Sequence, residues 1–182
     1  MTFEHTDIEG LIVCTPRVFG DARGYFFESF SLRELEAFAG RRLEFVQDNE
    51  SRSVRGVVRG LHFQRAPHAQ AKLVRCTSGR ILDVAVDLRP DSPTFGRHFS
   101  IELSADNKRQ LFIPAGFAHG FSVLSPEAVF QYKCTAYYCP EAEDGIYFAD
   151  PALGIDWRIS PDEAIVSPKD AVRRPLSELD RR

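Results

Sequence analysis

RILDVAVDL, residues 80–88, is the run on which the fold turns. Leu82, Val84, Val86 and Leu88 alternate with their neighbours, so a pleated strand would carry all four on one face. Similar short runs surround it: GYFFESF (24–30), EFVQDN (44–49), VVRGLHF (57–63), AKLVRC (71–76), HFSIEL (98–103), RQLFIP (109–114), HGFSVL (119–124) and AVFQYKC (128–134). Turn-formers separate several of them, among them Ser78-Gly79, Pro90-Asp91-Ser92-Pro93 and Pro114-Ala115-Gly116. Many short strands at regular spacing predict a sandwich or barrel, an all-β fold with a few short helices. Fifteen phenylalanines against one methionine lean the same way, because aromatic rings pack well on pleated surfaces.

One helix is well signed. In SLRELEAFAG (31–40), Ser31 is placed to cap and Glu34 to close a capping box. Leu32, Leu35 and Phe38 share one face, and Gly40 stops the helix. From Asp150 to Arg182 the chain is rich in Pro, Asp and Arg and is expected to wrap the body in short turns. There is no internal repeat or low-complexity tract, so residues 1–182 read as one domain, long enough to bury a real core.

A net charge of −3 gives no whole-molecule field that would draw nucleic acid or an anionic membrane. No apolar run approaches the ~20 residues of a membrane-spanning helix. The N-terminal MTFEHTDIEG is acidic and lacks a signal-peptide core, so a cytoplasmic protein is expected. Four cysteines lack C-x-x-C spacing; Cys14, Cys76 and Cys134 sit in apolar strand-like segments and read as free buried thiols, beside Cys139.

Alternation sorts the other strands too. Val58, Gly60 and His62 share a face, as do Lys72, Val74 and Cys76, and Phe130, Tyr132 and Cys134. If those faces and that of Leu82, Val84, Val86 and Leu88 point inward, a potential base, a cation and a phenol stand together in an apolar barrel. A lone histidine on an apolar strand is most often a satisfied core residue. A buried ammonium needs a partner or a purpose, and it is the co-occurrence of the three that carries weight. Strict alternation sends Arg59 to the face opposite His62; a bulge at Gly60 would reconcile them.

IPAGFAHGF (113–121) carries P-x-G-x-x-H, which resembles the second motif of cupin barrels, where His119 would be a metal ligand. The histidine pair of a metal-binding first motif is broken here. His62 is followed by Phe63 and Gln64, and His68 lies beyond Pro67. A first-row metal wants three or four well-placed ligands, so none is expected.

Together RGLHFQ (59–64), AQAKLVRCTSGRILDVAVDLR (69–89), SPTFG (92–96), IPAGFAHGF and YKCTAYY (132–138) resemble the dTDP-4-dehydrorhamnose 3,5-epimerases, the dTDP-sugar epimerase branch of the cupins. The match runs from DARGYFFE (21–28) to SPKD (167–170). The resemblance implies a cupin-like jelly-roll barrel, a homodimer, and no metal or organic cofactor. It implies that dTDP-4-dehydro-6-deoxy-D-glucose is inverted at C3 and C5, giving dTDP-4-dehydro-L-rhamnose for dTDP-L-rhamnose biosynthesis. By the same resemblance His62 is the base, Tyr132 the acid, Asp170 the carboxylate that orients the base, and Lys72 the cation at the C4 oxygen. Arg23 and Glu28 would reach substrate across the dimer interface. Gln47, Asp48, Asn49, Arg59, His119, Glu143 and Lys169 match further substrate-contacting positions, and Tyr138 an aromatic that stacks on thymine. The sequence departs from the family pattern at Phe148, Ala149 and Arg158, where tryptophan, asparagine and proline are usual. The competing readings are a single-centre epimerase, a 3,4-ketoisomerase, a catalytically silent sugar-nucleotide binder and a metal-dependent cupin oxygenase.

Overall fold

The computed structural model describes residues 1–179, and in it two antiparallel sheets face each other. The larger has the order β1 (Thr2–His5), β2 (Ile12–Thr15), β10 (Gln110–Ile113), β7 (Lys72–Ser78), β12 (Glu127–Cys134), β5 (Gln47–Val54). The smaller runs β13 (Glu143–Gly145), β6 (Val58–Gln64), β11 (Phe117–Val123), β8 (Arg80–Asp87), β9 (His98–Ser104). Successive strands from β5 to β8, and again from β9 to β13, cross between the sheets, which is the winding of a cupin-like jelly roll. A hairpin of β3 (Phe19–Asp21) and β4 (Gly24–Phe26) forms a separate two-stranded sheet, with Phe19, Tyr25 and Phe26 exposed. The helices are α1 (Leu32–Ala39) and the single-turn α2 (Pro168–Ala171).

Three apolar layers hold this together. Between the sheets lie Val74, Leu111, Phe130, Ile81, Ala85, Leu103 and Phe121. On the outer face of the larger sheet, Ile12, Leu73 and Phe112 are covered by Leu35 and Phe38 of α1 and by Phe30 and Phe45. On the outer face of the smaller sheet, Leu82, Val84 and Val86 lie under Ile146, Phe148, Leu153, Trp157 and Leu179. Fully burying one such Leu, Ile or Phe is worth about 1.5–3 kcal/mol, so each layer is a substantial contribution.

The third layer inverts one expectation. The face of Leu82, Val84, Val86 and Leu88 points away from the barrel interior, and Asp83 faces inward with Ile81 and Ala85. β8 is buried from Ile81 to Asp87 because the chain from Gly145 onward covers its outer side, so alternation alone misassigned the two faces. Asp87, on the same face, is satisfied locally: it accepts from Arg89, Ser92 and Thr94, which folds the SPTFG turn around it.

Other boundaries moved for similar reasons. β5 begins at Gln47 and runs to Val54, past the expected EFVQDN segment; its polar sequence QDNESRSV has no apolar alternation, and eight consecutive pairs with β12 make it a strand. α1 stops at Gly40 (φ 67°) as expected. Its capping box does not form. Ser31 contributes its carbonyl to Leu35 N–H but no side-chain cap, and Glu34 lies 3.6 Å from the Met1 ammonium. Beyond Asp150 the chain does run in short turns, with 3-10 turns at Pro161–Glu163 and Leu176–Glu178; residues 180–182 of that expectation lie outside the described residues. Arg158 belongs to this region, and Phe148 lies just before it. Phe148 packs edge-on to Trp157 and Arg158 pairs with Glu102 at 3.0 Å. All four cysteines are free, with Cys14, Cys76 and Cys134 buried. Among the described residues no helix is long and apolar enough to cross a membrane.

Gly60 and Gly120 set the distance between β6 and β11. Gly60 has φ 133°, and a Cβ there would lie 2.6 Å from the Gly120 Cα; a Cβ on Gly120 would meet the Arg59 carbonyl at 2.6 Å. The pairing slips at this point: His62 opposes His119 while Arg59 opposes Phe121, so Gly60 and Leu61 stand against Gly120 alone, two residues against one. This extra residue is a bulge, and it returns Arg59 to the side of His62. Val58, before the bulge, packs in the outer layer and not, as alternation suggested, beside His62 on the inner face.

Candidate active site

The open end of the barrel holds a cavity of about 550 Å³. Its walls come from both sheets and from the chain around α2. The smaller sheet contributes Arg59 and His62 from β6 and His119 from β11; the larger contributes Lys72 from β7 and Tyr132 from β12. Glu143, Lys169 and Asp170 close the rim, and Phe121 and Phe130 form an apolar floor. Phe130 stacks on His119 at 5.8 Å between centroids and leans on Tyr132 at 5.5 Å, which fixes both rings.

His62 is the most directed group. Its Nε2 lies 2.5 Å from Asp170 Oδ1, with His62 one-third exposed toward the cavity and Asp170 buried. A carboxylate at Nε2 keeps the proton there and leaves the Nδ1 lone pair free. Burial pushes the Asp170 pKa up, but the bonds from His62, Ser167 and Gly60 outweigh it and hold the acid below the usual carboxylate range. Asp170 therefore stays charged.

A second histidine–carboxylate pair lies next to the first. His119 Nε2 is 2.9 Å from Asp83 Oδ2, and both side chains are buried. Burial pushes the His119 pKa down against the pull of Asp83, so its imidazole is neutral near pH 7. Asp83 escaped the sequence reading because its strand was assigned the wrong inward face; an acid between Leu82 and Val84 was the available signal.

On the opposite wall Lys72 Nζ sits 5.8 Å from the Tyr132 ring centroid, and among the described residues it has no ion-pair partner. Burial pushes the Lys72 pKa down. Burial likewise raises that of Tyr132, which keeps the phenol protonated. The cavity thus holds a base with its orienting acid on one wall and a neutral phenol with the Lys72 amine beside it on the other.

The family model described as dTDP-4-dehydrorhamnose 3,5-epimerase matches residues 5–178. The chain belongs to this family. The dTDP-4-dehydrorhamnose 3,5-epimerase of Escherichia coli (strain K12) is 54% identical over 98% of this chain and 96% of its own length. That of Pseudomonas aeruginosa is 53% identical over 95% and 94%. A crystal structure of dTDP-6-deoxy-D-glucose-3,5-epimerase from Legionella pneumophila Philadelphia 1, in complex with dTDP-4-keto-L-rhamnose, matches with a TM-score of 0.94 at 49% identity, covering 98% of this chain and 94% of that one.

Of the epimerase-family positions expected from the sequence, His62, Lys72, Tyr132, Asp170, Arg59, His119, Glu143 and Lys169 line one cavity. Gln47 and Asn49 stand beside it on the inner side of β5: Asn49 opposes Tyr132, and Gln47 Oε1 accepts from Tyr138 N–H at 2.9 Å. Tyr138 is an exposed rim residue whose hydroxyl donates to Glu143 at 2.5 Å. Asp48 departs from the expectation. The alternation of β5 turns it to the outer face, where it pairs with Lys133 at 2.9 Å beside a separate cleft of about 320 Å³. Arg23 and Glu28 are exposed and do not line this chain's cavity; Arg23, at the tip of the β3–β4 hairpin, pairs with its neighbour Asp21 at 2.6 Å.

Proposed function

We propose that this protein is a dTDP-4-dehydrorhamnose 3,5-epimerase, an isomerase that inverts C3 and C5 of dTDP-4-dehydro-6-deoxy-D-glucose. The observation that carries the reading is the His62–Asp170 pair on one wall of the cavity facing Lys72 and Tyr132 on the other. The C4 ketone acidifies the C–H bonds on both sides of it. His62 Nδ1 takes the proton, and the charge moves to the C4 oxygen. Asp170, held ionised, stabilises the imidazolium that results. Lys72 supplies a positive group at the growing enolate; donors of this kind are typically worth about 3–4 kcal/mol in the transition state. Tyr132, protonated and on the opposite sheet, returns a proton to the other face of the ring, and the centre is inverted. The apolar floor of Phe121 and Phe130 excludes water and strengthens each of these charges.

Arg59 and Lys169 are the cations available to the diphosphate, and Tyr138 the ring available to the base. Arg23 and Glu28 complete the site from a second copy of the chain. The exposed Phe19, Tyr25 and Phe26 of the same hairpin support a homodimer, which sedimentation at twice the chain mass would establish and at the single mass would refute. The chain is read as a single jelly-roll domain and, with its four free cysteines, as a cytoplasmic enzyme.

The test is solvent exchange. In deuterium oxide the enzyme should introduce label at both C3 and C5 of the ketosugar, read by NMR. Label at one carbon alone would make it a single-centre epimerase, and tight thymidine-nucleotide binding without exchange would make it a silent binder.

A further inference from the structure

Asp170 does not belong to the barrel. It is carried by α2, a single turn whose first residue follows the Ser167 cap, and such a turn has no stability of its own. What holds it in place lies on either side. Before it, Ile165 exchanges backbone bonds with Gly56 (2.8 Å) and Val58 (3.0 Å) at the start of β6. After it, two adjacent arginines meet two adjacent acids of β13. Arg173 donates to Glu143 Oε1 at 2.8 Å and lies 3.7 Å from Asp144 Oδ1; Arg174 pairs with Asp144, which also accepts from Arg65 at 2.7 Å. Arg173 N–H bonds back to the Asp170 carbonyl at 3.4 Å.

Arg173 is seated closely. Its side chain is 13% exposed, and a Cβ on Gly145 would lie 3.0 Å from its Nε. Gly145 is the residue paired with His62 across β13 and β6. The bare backbone of Gly145 therefore admits the arginine stem directly beside the base. Lys169 reaches the same Glu143 oxygen at 2.5 Å, but it is 57% exposed and its contact is correspondingly weak. Arg173 can hold Glu143 whichever way Lys169 turns.

We infer that Arg173 is a positioning residue: anchored on Glu143 over Gly145, it fixes the chain after α2 so that the Asp170 carboxylate stays on His62 Nε2. The inference rests on the proposed roles of His62 and Asp170. Arg173→Met keeps the stem and removes the anchor; Arg173→Lys keeps the charge without the planar fork.

Two readouts test it. The first needs no turnover. In protein labelled with 15N-histidine, the His62 ring is assigned by its loss in His62→Gln. Wild type should show a downfield Nε2–H proton and a bare Nδ1; Arg173→Met should lose that proton, and Arg173→Lys should recover it in part. The second is kinetic. Arg173→Met should lower kcat about tenfold, as small misplacements of catalytic groups do, with KM changed much less. Combined with Asp170→Asn it should add no further loss, because both changes act through one contact. An unchanged His62 signal in Arg173→Met, or losses that multiply in the double variant, would overturn the inference. If Arg173→Met does not fold, Arg173→Lys decides: a wild-type ring signal and kcat in that variant speak against a positioning role. A wild-type protein with the ring signal but no turnover would count against the proposed reaction, and the NMR comparison would still judge Arg173.

Discussion

At the scale of single residues, the cavity separates groups that would otherwise neutralise one another. His62 and its carboxylate stand on the smaller-sheet side, Lys72 and Tyr132 on the larger. The burial that raises the Tyr132 pKa and lowers that of Lys72 is the same burial that strengthens their action on a developing enolate. Their individual losses should therefore differ in kind. His62→Ala should abolish solvent exchange at both carbons. Tyr132→Phe should retain exchange on the face of the base yet lose inversion. Lys72→Met should lower kcat by about 10²–10³-fold, in the manner of a lost oxyanion donor. Near-normal turnover in His62→Ala, followed by product formation, is the result that contradicts this assignment.

At the scale of elements, β6 does the placing. The bulge between Arg59 and His62 brings a cation and a base to one side of a strand whose alternation would divide them. It depends on the close approach of Gly60 and Gly120. Gly60→Ala puts a methyl within 2.6 Å of the Gly120 Cα at a φ of 133°, where side chains rarely sit. The expected cost is more than about 2 kcal/mol, seen as a lower denaturant midpoint, together with slower exchange because His62 moves. A variant as stable and active as the wild type would show that β6 reaches this shape without the glycine. The bulge was legible as a possibility, since RGLHFQ places Gly60 between the two residues. The tether of α2 was not, because nothing local in SPKD says where the chain beyond it will dock.

At the scale of the whole molecule, buried and paired acids tie stability to pH. Burial alone would raise the Asp87 pKa, but Arg89, Ser92 and Thr94 pull it down to about 2. Asp144 and Glu143, bonded to arginines and Lys169, are shifted the same way, as is Asp170. A folded pKa below the unfolded one gives stability that is complete at neutral pH and is lost as pH falls through about 4 toward 2. For Asp87 the amount is on the order of 2 kcal/mol. Urea unfolding at pH 7 and pH 3 should show the decline, and Asp87→Asn should reduce its slope; an equal slope in that variant would remove Asp87 as a source.

By itself the sequence determined the local things: strands at runs such as RILDVAVDL and AKLVRC, a helix closed by Gly40, and the identities of His62, Lys72, Tyr132 and Asp170 through motifs that resemble a known family. Period-two alternation and turn chemistry are properties of neighbours along the chain, so they can be read from it. Only the tertiary structure decided which face of β8 looks inward, that Asp83 stands behind His119, that Asp48 turns away from the cavity, and that Arg173 and Arg174 pin the segment bearing Asp170. Each of these depends on what packs against a strand's far side, and that partner comes from a segment distant in sequence.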